Sequence, residues 1–115
     1  MKKHLFFTAE AMLLMASCAP QTSLYSWHKY EDTTYQYSKK GTEELKLKVL
    51  EEYKKVTEKQ NGIRGAVPPG MYAEYGFLLY NNGKKDEGIA YLKKEVELYP
   101  ESEIYISRII KQLEK

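Results

Sequence analysis

Residues 69–102 carry the clearest structural pattern of the chain and read PGMYAEYGFLLYNNGKKDEGIAYLKKEVELYPES. Apolar residues recur in this stretch at helical spacing, which predicts one helix from about Met71 to Asn81 and another from about Lys85 to Tyr99. The turn Asn82-Gly83 separates the two segments, and Pro100 stops the second. The stretch is therefore expected to form a helix–turn–helix hairpin.

Two glycines in this stretch favour close packing of its helices, because Gly76 and Gly88 carry no side chain between the two backbones. The length, the inter-helix glycine and the late proline resemble a tetratricopeptide repeat, a helix–turn–helix unit of about 34 residues. In that resemblance alanine is the usual residue at the place of Gly88, so Gly88→Ala is expected to be neutral or stabilising. Glu95 stands where the repeat has alanine, and looser packing against the next helix is expected there.

The segments on either side extend this pattern. Two earlier helices, from about Tyr25 to Lys39 and from about Thr42 to Gln60, resemble a degenerate copy of the hairpin with Gly41 between them. Asn61-Gly62 is expected to end the second of these as a left-handed cap. A last helix, from about Ser102 to Glu114, has one apolar side and resembles the capping helix that repeat arrays need. The predicted fold class is all-α, with two tetratricopeptide-repeat-like hairpins and a C-terminal capping helix.

The start of the chain predicts export. Met1-Lys2-Lys3-His4 is basic, the run from Leu5 to Met15 is mostly apolar, and Ala16-Ser17 supplies small residues before Cys18. A basic start, an apolar middle and a small-residue cleavage site are the three parts of a secretory signal peptide. The apolar run is too short for a membrane-spanning helix, which needs about 20 residues.

Cys18, the only cysteine in the chain, predicts how the exported protein is held. Its setting resembles a bacterial lipobox, which implies a lipid on the sulfur and cleavage just before the cysteine. An ordinary cleaved signal peptide is the alternative. The predicted organisation is a lipoprotein signal peptide over residues 1–17, a lipid-anchored tether over 18–23 and a repeat-like helical domain over 24–115. Ala19 is not aspartate, and by the same resemblance this implies the outer membrane.

Composition and single residues argue against several functions. The formal net charge is +2, from 18 basic and 16 acidic residues, whereas nucleic-acid binding needs a basic stripe. His28 is the only histidine beyond the signal peptide, and one histidine without a cysteine partner makes a poor metal site. No Ser/His/Asp set or nucleophile elbow is found. We therefore expect no enzyme activity, catalytic residue, metal, cofactor, small-molecule substrate or nucleic-acid partner.

Several short strings resemble one family of small Gram-negative lipoproteins. The strings are Leu24-Tyr25-Ser26-Trp27, Pro68-Pro69-Gly70, Ala73-Glu74-Tyr75-Gly76 and Tyr99-Pro100-Glu101-Ser102. That family carries only a domain-of-unknown-function label, and its genes often lie beside a lipoprotein similar to the curli secretion channel. The resemblance implies a place in a cell-envelope assembly, and it supplies no catalytic residue.

These observations lead to a functional hypothesis. The protein is expected to be a lipid-anchored adaptor on the periplasmic face of the outer membrane that binds one or more envelope proteins, among them a curli-secretion-channel-like lipoprotein. An activator of a peptidoglycan synthase is the alternative, because other small repeat-bearing lipoproteins have that role. A cell-wall enzyme is the third and least favoured hypothesis.

The candidate binding residues come from analogy with the repeat family. The groove face of the first helix in the hairpin would carry Ala73, Phe77, Tyr80 and Asn81. Aromatic anchors often dominate binding energy, and a groove between helices suits an extended or helical peptide. The alternative is that the aromatic side chains belong to the core and that the capping helix fills the groove.

Overall fold

The computed structural model describes residues 23–115, and Cys18 and the predicted signal peptide lie outside them. The described part is all-α, as predicted, and contains no strand. Each helix packs against the next one in the chain. The helices are α1 (Tyr30–Lys40), α2 (Glu43–Glu58), α3 (Met71–Asn81), α4 (Lys85–Leu98) and α5 (Glu103–Leu113), with a 3-10 turn at Pro100–Ser102 before α5.

None of the helices over residues 23–115 is both long enough and apolar enough to cross a membrane.

The α3–α4 pair is held together at its two glycines. A β-carbon at Gly76 would lie 2.5 Å from the carbonyl oxygen of Gly88, and one at Gly88 would lie 2.5 Å from the carbonyl oxygen of Gly76. The Gly88 β-carbon would also lie 2.8 Å from the backbone nitrogen of Tyr80. Because these neighbours are backbone atoms, they cannot move aside cheaply. The structure therefore reverses the expectation for Gly88→Ala, since even a methyl group does not fit.

The segment before α1 is not helical, although the sequence predicted a helix from Tyr25. The backbone N–H of Ser26 donates to Oε1 of Gln60, and Nε2 of Gln60 donates back to the Ser26 carbonyl, both at 2.9 Å. His28 has a φ of 51°, which interrupts a right-handed helix. The segment is thus irregular and held against the loop after α2, and α1 begins only at Tyr30.

The predicted left-handed cap at Asn61-Gly62 is wrong, because α2 ends earlier, at Glu58, and Gly62 does not have a positive φ. Gly62 is instead needed for a close approach. A β-carbon there would lie 2.3 Å from the carbonyl oxygen of Leu24. The backbone N–H of Ile63 donates to the Ser23 carbonyl at 3.1 Å, so this loop holds the start of the described chain.

The core lies between the two helix pairs and continues under α5. Tyr53 and Val56 of α2 are buried with Tyr75 of α3, and the two tyrosine rings are parallel with centroids 6.3 Å apart. Leu92 of α4 and Ile106 of α5 are almost completely buried. This packing fixes α5 beside the α3–α4 pair and places it next to the predicted groove face.

Candidate partner-binding cleft

A cleft runs between α3 and α5, and it consists of two adjoining pockets. The first, called here the apolar pocket, has a volume of about 310 Å³. The second, called the Glu95 pocket, has a volume of about 200 Å³. Ala73 and Tyr105 line both. The apolar pocket is further lined by Glu74, Phe77, Ile109 and Leu113, and the Glu95 pocket by Gly70, Glu95, Tyr99 and Glu101.

The four residues predicted for the groove have different positions. Ala73 and Phe77 lie in the cleft, and the Phe77 side chain is 44% exposed, so it is accessible to a partner. Tyr80 is half-buried, and its hydroxyl donates a hydrogen bond to the carbonyl oxygen of Leu113. Asn81 is exposed and lines neither pocket. The predicted face is thus divided: Tyr80 contacts α5, Ala73 and Phe77 line the cleft, and Asn81 lies outside it.

Four of the seven residues that line the apolar pocket lie on α5, which the groove prediction did not include. Tyr105 is 69% exposed, and Ile109 and Leu113 are half-buried beneath it. The strong apolar pattern of the last helix indicated that it needs a packing partner. No local pattern predicts the rotation of α5, which buries Ile106 and turns Ile109 and Leu113 toward α3 while Ile104 stays exposed.

Glu74 is fixed at the edge of the apolar pocket by two tyrosines. The hydroxyl of Tyr53 donates to Oε2 of Glu74 at 2.6 Å, and that of Tyr30 donates to the same oxygen at 3.2 Å. Burial, followed by these contacts with Glu74, raises the pKa of Tyr53 well above its ordinary value of 10, and burial also raises the pKa of Tyr30. Both hydroxyls therefore remain donors at neutral pH.

Glu95 is the most unusual side chain of the cleft. It is only 2% exposed, and neither carboxylate oxygen makes a hydrogen bond within residues 23–115. Burial raises its pKa, and the negative charges of Glu74 and Glu101 act in the same direction. The backbone amides of Gly70 and Ala73, at the start of α3, lower the pKa but do not outweigh the burial. The carboxylate is therefore a buried acceptor without a full set of donors.

These features define a class: a small all-α domain with an open, acidic and largely apolar cleft between two helices. No group of three or more His, Cys, Asp or Glu side chains within residues 23–115 could hold a metal ion.

The chain belongs to the family described as domain of unknown function DUF4810, whose profile matches residues 24–109. Neither a curated protein nor a solved structure matches the chain.

Proposed function

We propose that this protein is a lipid-anchored adaptor, held by Cys18 on the periplasmic face of the outer membrane, that binds an envelope protein in the α3–α5 cleft. The accessible Phe77 side chain in an apolar pocket is the observation that carries the binding role. Large aromatic side chains lose little conformational entropy when they bind, and they are frequent binding hot spots.

The anchor is inferred from the sequence pattern before Cys18, together with the resemblance to small lipoproteins. The helix pairs are inferred to be tetratricopeptide-repeat-like, because their glycines and inter-helix turn occur at the places that the repeat uses. Repeat proteins of this kind usually bind peptide segments of other proteins on the faces of their helices. A lipoprotein similar to the curli secretion channel is the partner class that the resemblance suggests.

Site-specific photo-crosslinking in living cells tests the proposal. A photoreactive phenylalanine analogue replaces Gln112, an exposed residue that lines the apolar pocket. Illumination should attach one envelope protein of defined mass. The same analogue at Leu47, which is exposed on α2, serves as the control and should not capture it. Phe77→Ala should reduce the capture at Gln112 strongly.

Mass spectrometry of the attached protein then separates the candidate partners. A channel-like lipoprotein supports the adaptor role in secretion, and a peptidoglycan synthase supports the activator role. The proposal is wrong if Gln112 captures no protein, if Leu47 captures the same protein equally well, or if Phe77→Ala has no effect.

A further inference from the structure

We propose that an exposed apolar patch, at the edge of the domain where the described chain begins, lies in the headgroup region of the membrane that holds the anchor. The patch consists of the side chains of Leu24, Trp27 and Ile63 and is called here the Leu24–Ile63 patch. This inference rests on the proposed function, because it assumes the lipid on Cys18. It adds a second membrane contact, made by the folded domain itself.

The first argument is that exposed apolar side chains meet at one place. The Leu24 side chain is 55% exposed and that of Ile63 is 65% exposed, and Trp27 is exposed as well. The backbone N–H groups of Ile63 and Arg64 donate to the carbonyls of Ser23 and Leu24, at 3.1 and 3.2 Å. Two segments that are distant in sequence therefore present their apolar side chains on the same edge of the molecule.

The second argument is the position of Ile63 in a tight turn. The backbone N–H of Gly65 donates to the Gly62 carbonyl at 3.1 Å, so Ile63 and Arg64 are the two central residues of a β-turn. Such positions usually carry glycine, proline, asparagine, aspartate or serine. The turn itself therefore gives no reason for an isoleucine, whereas an apolar side chain at the tip of a turn can enter an adjoining apolar phase.

The aromatic residues of the patch suit the same surroundings. The rings of Tyr25 and Trp27 meet edge to face, with centroids 6.1 Å apart, and Tyr25 is half-buried while Trp27 is exposed. Tryptophan and tyrosine combine an apolar ring with a polar group, and they are enriched where a membrane meets water. An exposed tryptophan beside Leu24 therefore fits the headgroup region better than it fits water.

The third argument is charge. The segments 23–29 and 59–65 contain Lys29, Lys59 and Arg64, and they contain no Asp or Glu. Acidic residues resume only in the flanking helices, at Glu31 and Glu58. Basic residues beside a membrane are attracted to the phosphate groups of anionic lipids. The charges around the patch thus complement an anionic lipid surface.

The fourth argument is distance, and it selects lipid over another protein. Five residue steps lead from Cys18 to Ser23, so at most about 18 Å of extended chain joins the anchor to the patch. A small folded domain is about 30 Å across and does not fit into that gap. The tether also keeps the patch at a high effective concentration near the bilayer, so a few apolar side chains suffice for contact.

The contact leaves the cleft unoccupied. Leu24, Trp27 and Ile63 line neither the apolar pocket nor the Glu95 pocket. Membrane contact and partner binding therefore use different residues, and each can be changed without the other.

Quenching of the native Trp27, the only tryptophan in the chain, tests the inference. The full protein is purified from membranes in detergent and reconstituted into vesicles of phosphatidylethanolamine and phosphatidylglycerol, with and without bromine on the acyl chains. Brominated lipid should quench Trp27. The double change Leu24→Ser with Ile63→Ser should lower this quenching about twofold or more, because apolar side chains set the depth of a surface-bound element.

The matched control is Leu47→Ser, because Leu47 is 60% exposed on α2 and lies outside the patch. It should leave the quenching unchanged. Ile63→Ser alone places a favoured turn residue at the tip and should act in the same direction as the double change. Circular dichroism should show equal helical content for all variants. The inference is overturned if brominated lipid does not quench Trp27, or if the serine variants are quenched as strongly as the wild type.

Mass spectrometry of the purified protein separates this outcome from that of the proposed function. Lipid on Cys18 without quenching of Trp27 would refute the patch and leave the anchored adaptor standing. An unmodified Cys18, together with quenching that Leu24→Ser and Ile63→Ser abolish after the protein is mixed with vesicles, would support the patch and refute the anchor.

Discussion

At the scale of single residues, the backbone contact between Gly76 and Gly88 sets the distance between α3 and α4. Each glycine occupies a place where a β-carbon would meet the carbonyl oxygen of the other. Glycine in a helix interior normally destabilises the helix by about 1 kcal/mol relative to alanine. The close packing of α3 on α4 offsets this, and Leu92 fills the space beside the contact.

Gly88→Ala should therefore destabilise the protein, by about 1–3 kcal/mol, because overpacking a close backbone contact exceeds the gain in helix propensity. Thermal unfolding followed by circular dichroism measures the effect. Lys93→Ala, at an exposed position of the same helix, should be nearly neutral. A Gly88→Ala variant that melts at or above the wild-type temperature would contradict the close approach.

Glu95 should make stability depend on pH. Burial raises the pKa of its carboxyl in the folded chain above the ordinary value of 4.5. The folded state then favours the protonated form, so the stability that Glu95 contributes is present below pH 4.5 and is lost as the pH rises through the folded pKa. Glu95→Gln, which stays neutral, should gain melting temperature relative to wild type at pH 7 and not at pH 4. An equal difference at both pH values would show that the carboxyl is not perturbed.

At the scale of elements, two contacts decide where α5 lies and how open the cleft is. Ile106 of α5 is almost completely buried, and the Tyr80 hydroxyl holds the last turn of α5 through the Leu113 carbonyl. Phe77, one helical turn before Tyr80, is left accessible between the helices. Neighbouring aromatic residues of α3 thus have different roles: one positions a helix, and the other faces the cleft.

Single changes should separate these roles. Tyr80→Phe should lower the stability by about 0.5–1.5 kcal/mol through loss of one hydrogen bond and should speed hydrogen exchange in α5. Phe77→Ala should leave the melting temperature nearly unchanged, because the side chain is 44% exposed. Thermal melts and amide exchange by mass spectrometry measure both. A collapse of the melting transition in Phe77→Ala would place this ring in the core.

At the scale of the whole molecule, the described chain starts beside the loop that joins the helix pairs. The Ser23 carbonyl accepts from Ile63, and Ser26 is clamped by Gln60. Ser23 is the fifth residue after Cys18, and an extended chain over those five steps spans at most about 18 Å. If Cys18 carries lipid, this loop therefore lies close to the membrane surface.

The anchor itself is testable by Cys18→Ser. Several acyl chains hold a protein stably on a membrane, whereas without them only weak surface contacts remain. The variant should either stay unprocessed or leave washed membranes. Fractionation followed by immunoblotting measures both outcomes, and a Ser17→Ala variant controls for changes beside the cysteine. Normal processing and membrane retention of Cys18→Ser would refute the lipoprotein hypothesis.

The orientation on the membrane is testable with Trp27, the only tryptophan in the chain, which is 39% exposed just before α1. In vesicles, energy transfer from Trp27 to a lipid with a dansyl headgroup should be efficient. Moving the tryptophan to the other end of α1, by Trp27→Phe with Lys40→Trp, should reduce it, because about 15 Å of helix separates the two ends. Equal transfer from both positions would contradict this orientation.

Features that depend on neighbouring residues could be predicted from the amino-acid sequence. The bounds of α3 match the prediction, and each predicted end of α4 and α5 lies within one residue of the observed end. This agreement is expected because glycine, proline and apolar spacing act locally. The all-α class and the family resemblance also followed from local patterns, and the chain does belong to a family of unknown function. Cys18 remains a prediction from the same kind of evidence.

Features that depend on contacts between distant residues became visible only in the folded chain. The segment before α1 is not helical because its hydrogen-bond partner, Gln60, lies 34 residues from Ser26. Gly62 serves a close approach to Leu24 and not a helix cap for the same reason. The burial of Glu95 and the side that α5 turns toward α3 depend on how whole helices pack. Local spacing predicts that a helix has an apolar face, but only packing chooses which neighbour covers it and which side chains stay open to a partner.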